Sequence, residues 1–138
     1  MINQGYAAYK NTSIDTADQG KLILMTYDVA IKNCKLALGV FDDSHKLEQR
    51  TKLLFKVQDA ITELMSALKM DTGEIAKNLY MLYDYMLRSV VNASVKNRRE
   101  KITEVLKYLE ELREAWALAA VNAKKNTVLD HISTSHSG

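Results

Sequence analysis

Apolar residues recur every three or four positions through four long stretches of this chain, a spacing that stacks them on one side of an α-helix. The pattern predicts helices near 18–41, 46–69, 74–95 and 98–124. Asp18 can cap the first, because its short carboxylate can accept from the free amides of an opening turn, and Thr16 with Gln19 offers a competing capping box. The connections Phe41-Asp42-Asp43-Ser44-His45, Met70-Asp71-Thr72-Gly73 and Val95-Lys96-Asn97 are short and polar, so consecutive helices should pack antiparallel. No proline interrupts the pattern. The expected fold is all-α: an antiparallel up-down four-helix bundle over residues 18–124, preceded by a short arm, 1–17, and followed by a frayed, flexible tail, 125–138.

The four stripes differ in how much apolar surface they carry. Leu47, Leu54, Val57, Ile61, Leu64, Met65 and Leu68 make one face of the second helix, which needs nothing beyond the bundle. The fourth is similar, with Ile102, Val105, Leu109, Leu112, Trp116 and Ala120 in a stripe and Lys107, Glu110, Glu111 and Glu114 turned away. The first helix has two stripes on nearly opposite sides. One is Leu24, Tyr27, Ile31, Cys34, Leu38 and Phe41; the other is Leu22, Met25, Val29, Leu36 and Val40. The third shows a milder form, with Ile75, Leu79, Leu82, Met86 and Val90 flanked by Ala76, Tyr80, Leu87 and Val91. A helix apolar on two sides has one side left over in a bundle of four, which marks a contact for another chain, an oligomer or the protein's own arm. Periodicity alone leaves open that both stripes are internal.

Composition narrows the function. With 138 residues, 47% hydrophobic and 26% charged, and a mean hydropathy of -0.22, the chain reads as one ordinary globular domain. The first residues lack the basic and apolar regions of a secretory signal, and Cys34 is the single cysteine, so the expected setting is a reducing cytosol. A net charge of +2 is far from the basic stripe that phosphate backbones need. Lys96 to Lys101 is the one basic cluster and reads as a solvated turn. None of the 3 histidines follows a Glu by three positions, as a di-iron bundle would require, and no phosphate-cradling loop, nucleophile elbow or zinc-ligand spacing occurs. Cys34 sits on an apolar stripe as a small hydrophobe. No catalytic, cofactor or metal residues are expected.

Several segments resemble, in order and spacing, the FliS family of flagellin-specific export chaperones. They are Gly5-Tyr6-Ala7-Ala8-Tyr9, Leu22-Ile23-Leu24-Met25-Thr26-Tyr27-Asp28, Gly73-Glu74-Ile75-Ala76-Lys77-Asn78-Leu79, Leu82-Tyr83-Asp84-Tyr85-Met86 and Glu114-Ala115-Trp116. Two departures stand out: Asp18-Gln19 where the family has Ser-Pro, and Val29 where it has glycine after Tyr-Asp. The resemblance implies a cytoplasmic bundle that binds the carboxy-terminal helical segment of flagellin, prevents premature polymerisation and assists export. It also implies that Tyr9, and with it Tyr6, lies at the binding surface. Joined to the surplus stripes, this makes Tyr6, Tyr9, Leu22, Met25, Val29, Leu36, Tyr80, Leu87 and Val91 the candidate flagellin groove. The expected state is a monomer or weak homodimer, with other flagellar export or regulatory proteins as further partners, no nucleic acid and no membrane insertion. Two alternatives remain beside it: a self-associating structural or adaptor bundle with no flagellin role, and a nucleic-acid adaptor using Arg98 and Arg99.

Overall fold

The computed structural model describes residues 16–69 and 73–137, with side chains for 19–69 and 73–122. Four helices follow the predicted stretches: α1 Thr16–Val40, α2 Leu47–Ser66, α3 Glu74–Lys96 and α4 Arg99–Ser137. A 3-10 turn, Ser44–Lys46, leads into α2, and the Asp43 carboxylate accepts from its His45 amide at 2.9 Å. α1 packs on α2 and α4, and α3 packs on the same two, so the helices form a ring. Arg113 meets Asp28 while Arg99 meets Asp42, which runs α4 antiparallel to α1.

Local chemistry marks the turns. Asn97 ends α3 in the left-handed conformation, φ 54°, which asparagine tolerates because its short side chain crowds the backbone little. Its amide and that of Arg98 return to the Ala93 carbonyl. Gly73 opens α3 at φ 101°, a conformation that side chains resist.

The core takes one stripe from each helix: Tyr27, Ala30, Cys34, Ala37 and Phe41 on α1; Leu54, Val57, Ile61 and Leu64 on α2; Tyr83, Met86, Val90 and Ala93 on α3; Ile102, Val105 and Leu109 on α4. Across its middle the Tyr27 and Tyr83 hydroxyls share a hydrogen bond, and the Trp116 indole reaches both. Burial pushes both phenols above their usual range. Arg50, buried at one end, donates to the carbonyls of Phe41 (3.1 Å) and Ser94 (3.3 Å) and lies 4.4 Å over the Phe41 ring. It supplies a positive charge where α1 and α3 both present free carbonyls.

Several sequence expectations change. α1 begins at Thr16, so Asp18 lies inside the first turn and does not precede the helix. α4 runs to Ser137 and does not stop near 124, because no glycine or proline interrupts Arg99–Ser137. Ile75 is exposed and Ala76 is buried, and Leu47 and Ala120 also face outward. In each case the residue lies at the end of its stripe, where the 3.6-residue period has drifted off the contact line or the neighbouring helix has ended. The arm, 1–17, lies almost wholly outside the described residues.

Candidate functional site: apolar strips on either side of α2

Which side of α1 is core and which is surplus follows from burial. The Tyr27–Cys34–Phe41 stripe is internal, while Met25 (54% exposed), Val29 and Leu36 face outward. At about 100° per residue these three fall within about 40° of one another. The opposite flank of α1 is held by α4, where Arg113 grips Asp28 through Nε at 2.5 Å and Nη2 at 3.3 Å. The strip therefore borders α2. Thr26 and Asn33, buried beside it, turn their polar atoms onto their own helix: the hydroxyl donates to the Leu22 carbonyl at 2.9 Å and the amide to the Val29 carbonyl at 2.8 Å. Lys21, Lys32 and Lys35 are exposed along the outer edge of this flank.

α3 repeats the arrangement. Tyr80 and Val91 are exposed and Leu87 is half-buried, all on one flank. The other flank is occupied by α4, where the Tyr85 hydroxyl donates to Glu104 at 2.6 Å and its ring meets Tyr108 edge to face, 6.5 Å between centroids. The Tyr80–Leu87–Val91 strip thus also lies on the α2 side. It continues into a shallow open depression lined by Leu87, Arg88, Val91, Asn92, Val95 and Lys96.

The candidate residues separate accordingly. Met25, Val29 and Leu36 lie together on α1, and Tyr80, Leu87 and Val91 lie together on α3, with α2 between the two groups. Leu22 is only 8% exposed, so it supports the α1 strip from beneath and offers no surface of its own. Tyr6 and Tyr9 lie outside the described residues. Sequence reasoning missed Phe55, which stands 57% exposed on α2, and Val95 on α3. Phe55 was legible, since it falls among Thr51, Lys52, Lys56 and Asp59, off the Leu54–Val57–Ile61 face.

The polar groups offer little chemistry. Burial, with Glu110 adding repulsion, pushes the Cys34 thiol up to about 12, which keeps it protonated and inert. Among the described residues no three His, Cys, Asp or Glu side chains gather as a metal site, and no helix is long and apolar enough to cross a membrane. Arg99 is engaged by the Leu38 carbonyl and Asp42, and Arg98 by Glu100.

An apolar, non-catalytic surface on a helical bundle is what the sequence resemblance implies, and comparison with known proteins decides the family. The family model for the flagellar protein FliS matches residues 1–123. The chain belongs to the FliS family. It is 33% identical over 125 residues to the flagellar secretion chaperone FliS of Bacillus subtilis, covering 91% of this chain and 92% of that one. The FliS of Vibrio cholerae is 32% identical over 114 residues, covering 79% of this chain and 83% of its own. That of Salmonella typhimurium is 32% identical over 119 residues, covering 81% and 87%. FliS is a family of chaperones and not of enzymes, which agrees with a site built of exposed hydrophobes.

Proposed function

We propose that this chain is a cytoplasmic flagellar export chaperone that holds the carboxy-terminal helical segment of flagellin, prevents its premature polymerisation and assists its export. The observation that carries the reading is the pair of exposed apolar strips, Met25–Val29–Leu36 and Tyr80–Leu87–Val91, on a chain whose relatives are flagellar secretion chaperones. Both strips border α2, so one ligand reaches both only by crossing over α2, where Leu47 and Phe55 are exposed. A short peptide cannot follow that path; a long amphipathic segment can. Apolar burial is worth roughly 25 cal/mol per Å² and must exceed the cost of ordering the segment, so affinity comes from the length of the wrapped contact. Tyr6 and Tyr9 complete the proposed surface, the arm covering part of it in the free protein and moving when flagellin arrives.

Calorimetric titration with a carboxy-terminal flagellin peptide long enough to wrap the bundle tests the reading. A one-to-one complex with a large negative heat-capacity change is expected, and an altered affinity when residues 1–12 are removed. No heat and no complex at any temperature overturns it.

A further inference from the structure

Lys21, Lys32 and Lys35 border the apolar strip on α1, and none of them has an ionic partner among the described residues. At about 100° per residue, Lys32 projects within about 20° of Met25 and Lys21 within about 40°, while Lys35 leans about 80° towards α4. All three are exposed. Asp28, the one carboxylate between residues 19 and 40, is already taken by Arg113.

The neighbouring surfaces balance their charge. On α2, Lys52 pairs with Glu48 at 3.3 Å, the exposed Lys56 is followed by the exposed Asp59, and the half-buried Glu63 is already engaged. Beside the α3 strip, Arg88 pairs with Asp84 at 3.1 Å and Lys77 is preceded by Glu74, which leaves Lys96 in excess at the far end. Positive charge therefore collects on α1 and not around the whole proposed surface.

A lysine lays its methylene stem along apolar surface and carries its ammonium to the edge. A ligand whose apolar face covers Met25, Val29 and Leu36 thus brings its own flanks against these ammonium groups. Uncharged or basic flanks would strip water from three cations without replacing it, which is costly; carboxylates would meet them. The spacing adds a second constraint. Lys21 and Lys32 are about 16 Å apart along the helix, about three turns, with Met25 and Val29 between them and Lys35 just beyond.

Given the flagellin reading, on which this rests, we propose that the α1 strip selects one stretch of the flagellin segment by charge. That stretch is apolar over about three helical turns and bears side-chain carboxylates at both ends, one end meeting Lys21 and the other Lys32 with Lys35.

Calorimetric titration of the full chain with two peptides tests it: the carboxy-terminal flagellin segment, and the same segment with its Asp and Glu replaced by Asn and Gln. In about 0.1 M salt the amide peptide should bind roughly tenfold weaker. The gap should close towards about 1 M, where the screening length falls from about 10 Å to about 3 Å. Lys21→Gln, Lys32→Gln and Lys35→Gln together should lose the same factor for the acidic peptide and no longer tell the two peptides apart. The thermal melt should be that of the unaltered chain, because all three side chains are exposed. Lys107→Gln, exposed on α4, should change neither affinity. Equal binding of the two peptides by the unaltered chain, or a triple variant that still discriminates between them, would overturn the charge selection and leave the flagellin reading standing. Binding of neither peptide would overturn both.

Discussion

Val29→Asp separates binding from folding at the α1 strip. Val29 is 48% exposed, so about half of its side chain remains for a ligand to cover. Burying a whole valine side chain is worth about 1.5 kcal/mol, so the lost contact costs roughly 0.7 kcal/mol. Forcing a carboxylate under an apolar ligand adds about 2 kcal/mol of desolvation, partly offset by Lys32 one turn away. The sum predicts roughly 30- to 100-fold weaker flagellin binding. Folding should suffer little: the strip is already half in water, and an exposed helical substitution costs about 1 kcal/mol or less. Ile61→Asp is the contrasting control, because Ile61 is fully buried. A charge there costs more than about 4 kcal/mol, a large part of the stability of a domain this size. Titration with the flagellin peptide and a thermal melt monitored by circular dichroism read the two effects. Binding within about twofold of the unaltered protein would refute the assignment of the strip; a melt as damaged as that of Ile61→Asp would refute its exposure.

Two further outcomes concern the core. Tyr27→Phe and Tyr83→Phe should each cost about 1 kcal/mol in denaturant unfolding, and the double variant less than the sum, because the two hydroxyls share one bond. Costs that add to within about 0.3 kcal/mol would mean that the Trp116 contacts alone satisfy them. The buried Cys34 thiol is raised from its usual value of 9.0 to about 12, so the unfolded chain ionises first as pH rises. The stability it contributes is whole below about 9 and is lost on the way to 12, about 2 kcal/mol by pH 10.5. Tyr27 and Tyr83, also raised, add to the loss above about 10. Cys34→Ala should flatten the alkaline decline, and an unchanged slope would show the thiol to be accessible.

The existence and order of the four helices, and the approximate ends of all but the last, were legible in the sequence, because a 3.6-residue apolar period sustained over five or more turns, without proline, admits little else. The Gly73–Leu79 and Leu82–Met86 segments also carried the family, since motif order and spacing survive where overall identity is about a third. What the period cannot encode is which of two stripes on one helix meets the core. Tyr27 and Met25 are equally regular in sequence; they part only because α4 grips Asp28 and the core closes over Cys34. For the same reason Leu22 looked like surface and is buried. Arg50 could not be foreseen, because its partners are carbonyls 9 and 44 residues away that only the closed bundle brings together. Local periodicity is a property of the chain and fixes each helix; burial is a property of what packs beside it, and the tertiary structure alone decides that.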